Sequence, residues 1–222
     1  MNAFDQDMLG AVLRPVTDAA VIVPVVEDNV LVLELGDAAR LLGVDLLLDA
    51  QVRPVLDGEA GPPLLEITRQ TVQFDTSSGA WIDVLAFATL LQTTQPSDPQ
   101  ASDRWEEAVE LYQDDFMLGF NLPDSLQFEE WQFFQAEGLR DGLAGALERL
   151  ARGQAAAEEY ETAIGYARRW VSLDPLHEPA QRTLMRLYAW SGQRTAALRQ
   201  CAECVRVLED ELGALPEEGT SA

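Results

Sequence analysis

Apolar and small positions in the last third of the chain recur with a period of 34 residues. Leu150 aligns with Leu184, Ala163 with Ala197, Ile164 with Leu198, Ala167 with Cys201 and Val171 with Val205. That period predicts two helix-turn-helix units of tetratricopeptide type, each made of two antiparallel helices. Small side chains at Ala163, Ala167 and Ala197 suit the close backbone approach such hairpins require. The copies are degenerate, since Tyr160 aligns with Arg194 and Glu158 with Gly192. Two copies fall short of the roughly three repeats that a free-standing stack needs, so an upstream segment must pack against them.

The rest of the pattern divides the chain into an α+β start and a helical remainder. Residues 1–18 are weakly patterned, with a short helix beginning at Met8 and stopped by Pro15. Residues 19–26 (AAVIVPVV) and 30–35 (VLVLEL) are rich in branched side chains and predict a hairpin. Pro24 confines the first of these strands to an edge or a bulge. Short helices are expected over residues 36–42 and 46–56, and a second hairpin over 64–74 (LLEITRQTVQF). From Trp81 the strand signals stop. Helices are expected over 81–91, then 104–112 behind the capping-box pattern Asp103-x-x-Glu106, then 124–152, followed by the repeat helices. Residues 92–101 (QTTQPSDPQA) carry two prolines and predict a linker, while 114–123 (DDFMLGFNLP) predict a loop that packs down on its apolar side chains. Asp174-Pro175 ends one repeat helix, Pro179 opens the next, and Gly213 with Pro216 stops the last. The fold class expected is mainly α. A tetratricopeptide-like stack over residues 79–216 follows a small α+β unit over 1–78, and residues 217–222 form a disordered tail.

The net charge of −23 changes the picture of partners. Residues 1–80 hold 13 acids and 4 Arg, and residues 81–222 hold 25 acids and 11 Arg, so neither part has the basic excess of a free-standing nucleic-acid binder. No run of about 18 apolar residues and no leader pattern occurs in the sequence, which leads us to expect a cytoplasmic protein with no membrane contact. Cys201 and Cys204 lie within a helical pattern with a single histidine, His177, elsewhere, so a zinc site lacks ligands and a redox pair lacks its usual setting. They fit the apolar stripe Ala197, Leu198, Cys201, Val205, Leu208 as small core residues.

Several local motifs in one order carry a resemblance. They include Leu111-Tyr112 with Phe116-Met117-Leu118-Gly119-Phe120, and Asp124-Ser125 with Phe128-Glu129-Glu130-Trp131. Later come Tyr160-Glu161-x-Ala163-Ile164, Leu173-Asp174-Pro175-Leu176-His177-Glu178, Leu184-Met185-Arg186-Leu187-Tyr188 and Glu209-x-Glu211-Leu212-Gly213. Over about residues 81–216 the chain resembles the bacterial transcriptional activator domain of the antibiotic-regulatory-protein type. The resemblance implies regulation of transcription through a helical domain that self-associates, as in a homodimer, or contacts the transcription machinery. It also implies a winged-helix DNA-binding domain ahead of it, and residues 64–74 followed by Trp81 look like the wing and its junction. The place of the recognition helix, however, is taken by residues 44–57 (VDLLLDAQVRPVLD), with one Arg, a proline and Asp45, Asp49 and Asp57. Such a helix cannot supply the roughly six to ten phosphate contacts of a good DNA binder. The DNA-reading unit is therefore truncated or replaced, or it is a remnant kept for packing. Arg53 and Arg69 are its remaining DNA-binding candidates.

Candidate partner-binding residues fall in two groups. Phe128 and Trp131 have core spacing, whereas the adjacent Phe133 and Phe134 point about 100° apart, so one of them is expected at the surface. Arg168, Arg169, Arg182, Arg186, Arg194 and Arg199 give the repeats a local basic surface. It is either a site for an acidic partner segment or a set of i,i+4 pairs with nearby carboxylates. Asp114-Asp115 and Glu129-Glu130 lack a converging third ligand and are expected as surface charges, and His177 has a structural place between repeat helices. No nucleophile constellation or nucleotide-binding loop occurs, so no catalytic residue, metal or cofactor is expected. The leading reading is a transcription regulator acting through protein contacts. The others are an adaptor without DNA contact and a small-molecule sensor with a groove between the repeats.

Overall fold

Runs rich in branched and apolar residues make the described strands. The computed structural model describes residues 22–27, 30–35, 65–67, 71–74, 81–119 and 126–221. Strands β1 (Ile22–Glu27), β2 (Val30–Leu35), β3 (Leu65–Ile67) and β4 (Thr71–Phe74) form an antiparallel sheet in the order β1-β2-β4-β3. Ile22 pairs with Leu35 and Glu27 with Val30, while Val32 of β2 pairs with Gln73 of β4. Pro24 lies on β1, an outer strand of this order, where a missing N–H costs no ladder bond on the open side. The helices expected over residues 8–13, 36–42 and 46–56, and the candidates Arg53 and Arg69, lie outside the described residues.

The remaining described elements are all helices, so the described structure is mainly α. They are α1 (Asp83–Thr93), α2 (Ala101–Leu111), α3 (Leu126–Ala156), α4 (Tyr160–Leu173), α5 (Glu178–Trp190), α6 (Arg194–Leu212) and the short α7 (Glu218–Ser221). The chain divides into two compact units, but not at the boundary expected near residue 78. One unit combines Met1–Ile82 with Phe116–Ala136, and the other combines Asp83–Asp115 with Glu137–Ala222. The division is discontinuous because the loop after α2 folds back on the start of α3. The Phe116 ring meets the Trp131 ring edge-on at 5.6 Å, and the Gln132 amide donates to the Met117 carbonyl at 3.0 Å.

In the second unit the core is built from α1, α2, the later part of α3, and α4 to α6. Phe87, Trp105, Leu143, Leu147, Leu150 and Trp170 anchor one buried cluster, and Ala163, Ile164, Ala167, Leu184 and Leu187 anchor another. Each fully buried leucine contributes about 1.5–3 kcal/mol of burial. Gly142 on α3 faces Leu91, and a Cβ there would lie 2.8 Å from Leu91 Cδ1 and 3.4 Å from Phe87 Cε1, so α1 rides closely over α3 at this point. The buried Gln181 side chain is satisfied, donating to the Pro175 carbonyl and accepting from Gln200.

Three local expectations are corrected. Residues 92–101 are no loose linker: the Thr94 hydroxyl donates to the Leu90 carbonyl and the Asp98 carboxylate accepts the Gln95 N–H at 3.0 Å. The turn feeds directly into α2, since the Ala101 N–H already reaches the Asp98 carbonyl. As a result α2 begins earlier than the capping-box pattern suggested. Gln100 is its N-cap without a side-chain bond, and Asp103 sits in its first turn, where its charge favours the helix dipole. The tail expected to be disordered is instead anchored over residues 217–221. Glu178 accepts the Glu217 N–H at 3.0 Å and the Thr220 hydroxyl, Arg182 donates to Thr220 at 2.8 Å, and Thr220 is buried.

Candidate partner-binding surfaces

The basic surface expected on the repeats separates into two halves with different uses. Arg168 on α4 donates through Nε to the Tyr188 hydroxyl at 2.8 Å, with its guanidinium 5.5 Å from that ring's centroid. Arg169 donates to the Tyr112 carbonyl at 2.6 Å, just past the end of α2, where an unsatisfied helix carbonyl needs a partner. Arg182 on α5 holds the tail through Glu217 at 3.1 Å and Thr220. These three guanidiniums tie helices together. Only the last has a carboxylate partner, so the expected i,i+4 carboxylate pairing is not what holds them, apart from a long 3.8 Å approach of Arg182 to Glu178. Arg186, Arg194 and Arg199 are exposed, and their guanidiniums have no hydrogen-bond, ion-pair or ring partner among the described residues.

At the start of α3, in the other unit, both adjacent aromatics are at the surface. Phe133 is 59% and Phe134 68% exposed, with their rings 5.7 Å apart and edge-on, and Leu126 is exposed on the same stretch. One of the two was expected to turn inward. The inward positions are taken instead by Phe128, which is buried, and by Trp131, whose rings lie 5.5 Å apart. The exposed acids Glu129 and Glu130 flank the Phe pair, as surface charges. The Trp131 indole N–H is buried without a partner among the described residues.

The most connected polar cluster is a brace within the second unit. The Tyr112 hydroxyl donates to Asp115 Oδ1 at 3.0 Å, and Arg140 on α3 pairs with Asp115 Oδ2 at 2.7 Å and with Glu137 at 2.5 Å. The Arg140 hydrogen bond holds the Asp115 carboxyl below the usual carboxylate range. Burial, followed by the bond to Asp115, raises the Tyr112 hydroxyl. Burial and the hydrogen bond to Glu106 push Tyr166 up to about 12. These phenols are held neutral as donors and fasten helices to one another. His177 packs on Trp170 with ring centroids 5.4 Å apart. Cys204 is buried, and burial raises its thiol, whereas Cys201 is half-buried; both are free. No group of three or more His, Cys, Asp and Glu residues able to hold a metal ion occurs among the described residues, and no helix among them is long and apolar enough to cross a membrane.

Two surface residues escaped the sequence pattern. Leu198 was expected in the buried stripe of α6, yet it is 62% exposed, and Trp190 at the end of α5 is 60% exposed. The sequence carries no signal that separates them from the buried stripe, because a helical period names a face and not the element that covers it.

A comparison with curated proteins finds no similar protein. The family model described as the bacterial transcriptional activator domain matches residues 65–222, from β3 to the anchored tail, and includes both exposed surfaces. With that model spanning well over half of its length, the chain belongs to the bacterial transcriptional activator domain family.

Proposed function

We propose that this protein regulates transcription by docking a protein of the transcription machinery on its helical domain, through an aromatic anchor at the start of α3. The observation that carries this reading is the Phe133–Phe134 pair. Two large aromatic side chains remain exposed on a helix whose inward aromatic positions are already taken by Phe128 and Trp131. Exposed aromatics of this size are costly to keep without a partner and are typical binding anchors. In this reading α4 to α6 form a tetratricopeptide-like scaffold, and β3–β4 is the counterpart of a wing in a winged-helix-like remnant. The acidity of residues 1–80 leaves DNA contact by this chain without support.

The test tethers the full chain, fused to a sequence-specific DNA-binding domain, upstream of a test promoter in a bacterial host. Wild-type chain should activate the reporter, and the double variant Phe133→Ser/Phe134→Ser should lose at least about tenfold of that activation, in line with loss of a hot-spot contact. Circular dichroism and melting temperature of the variant should match wild type, because neither ring is in the core. No activation by wild type, or full activation by the folded variant, would overturn the proposal. A mobility-shift assay at about 50 mM salt, where phosphate contacts are strongest, should retain no duplex.

A further inference from the structure

Among the described residues every arginine except three has an intramolecular partner. Arg104, Arg140, Arg152 and Arg206 pair with carboxylates, Arg149 lies over the Trp105 ring, and Arg168, Arg169 and Arg182 tie helices together. The three without one, Arg186, Arg194 and Arg199, all lie on α5 and α6. In a chain with 38 acids this is not for want of carboxylates. The same end of the unit holds the exposed Trp190 and Leu198. Arg186 precedes Trp190 by one helical turn and Arg194 precedes Leu198 by one turn, so each cation shares a helix face with an apolar side chain. The turn that joins the two faces is braced. Gly192 takes a left-handed conformation, the Gln193 amide donates to Glu161 at 2.8 Å, and the Trp190 ring rests 6.4 Å from that of Tyr160.

We propose that this end of the α5–α6 hairpin is a docking site for an acidic, amphipathic helix of a partner protein. The site rests on the reading of this domain as a protein-binding one and names the chemistry of a partner. The 34-residue correspondence supports a helix as the occupant. Ile164 is 2% exposed with α5 packed over α4, whereas its counterpart Leu198 on α6 is 62% exposed. Charge complementarity supports the acidity, because the guanidiniums of Arg186, Arg194 and Arg199 at this end of the hairpin have no carboxylate partner among the described residues. Carboxylates at contact distance feel these charges, while the net negative charge of the rest of the chain is screened beyond about 8 Å at physiological salt. A nucleic acid fits less well. Three cations fall short of the roughly six to ten phosphate contacts that carry DNA affinity, and a Trp and a Leu lie among them.

The test uses the full chain and a fluorescein-labelled synthetic peptide of about 20 residues, long enough for a stable helix turn series. It has Leu at i, i+3, i+4 and i+7 spacing and Glu at the exposed positions, and binding is followed by anisotropy in 0.15 M salt on the order of physiological strength. Companion peptides replace Glu by Gln or by Lys. The Glu peptide should bind, with affinity falling about five- to tenfold for Arg186→Gln/Arg194→Gln/Arg199→Gln and for Trp190→Ala, and with no measurable binding of the Lys peptide. Absence of Glu-peptide binding, equal binding of the Lys peptide, or an unchanged affinity in the folded triple variant would overturn the site. So would retention of duplex DNA, or self-association of the chain, that depends on these arginines. Failure here is separable from failure of the transcriptional reading. Reporter activation without peptide binding removes only this site, and peptide binding without reporter activation removes only the transcriptional role.

Discussion

Glu158 and Gly192 look unrelated as residues, yet they occupy the same position in successive turns. Their φ angles are 62° and 77°, both left-handed. The hydrogen bonds around them repeat as well. The Glu158 and Glu159 N–H groups reach the Ala155 and Gln154 carbonyls, and those of Gly192 and Gln193 reach the Ala189 and Tyr188 carbonyls. The mismatch that made the repeat look degenerate is thus a shared geometry filled by a strained residue in the first copy. A non-glycine residue in this region costs roughly 1–2 kcal/mol, offset in part by the roughly 0.5–1 kcal/mol that glycine loses through its freer unfolded chain. Glu158→Gly should therefore stabilise the protein by about 0.5 kcal/mol, and Gly192→Ala should destabilise it by about 1 kcal/mol, measured by urea denaturation. Destabilisation by Glu158→Gly would show that the left-handed turn is not what limits this position.

At the level of elements, the tail is the part most changed by tertiary contact. Its composition, rich in Glu, Gly, Thr and Ser, carries no apolar period, but Glu178 and Arg182 are one turn apart on α5 and present an acceptor and a donor together. The Thr220 hydroxyl satisfies both at once. Removing residues 217–222 leaves two largely buried charged side chains without these bonds, at a cost of about 1–3 kcal/mol. For a chain of this size each kcal/mol lowers Tm by about 2–4 °C. Thermal unfolding of the truncated chain is the check, and an unchanged Tm would mean that the tail is only laid against α5. The second expected effect is greater hydrogen-exchange protection for α5 amides with the tail than without it.

Across the full chain, net charge is the strongest long-range influence on stability. A charge of −23 on a chain without lysine sets up self-repulsion that opposes the compact state. Screening shortens that repulsion from about 30 Å at 0.01 M salt to about 10 Å at 0.1 M. Raising NaCl over this range should raise Tm by several degrees, even though the surface ion pairs of Arg152 and Arg206 weaken at the same time. These exposed pairs contribute only about 0–1 kcal/mol each and cannot reverse the sign. A Tm that falls with salt would show that the intramolecular pairs outweigh the repulsion.

The family followed from a resemblance carried by local motifs over residues 81–216. The ends of α4 and α6, the start of α5, the helical repeat and the inward Phe128 and Ala163 followed from residue spacing. They are consequences of local propensity and of the 3.6-residue period, which a sequence carries in full. Which arginines face a partner did not follow, because Arg169 and Arg186 differ only in what a distant element brings to them. One meets the carbonyl of Tyr112, and the other meets no group of the described chain. The exposure of Leu198 was decided in the same way, since burial of an apolar stripe depends on whether another helix arrives to cover it. Periodicity names the face of a helix, and only the packed structure supplies, or withholds, its neighbour.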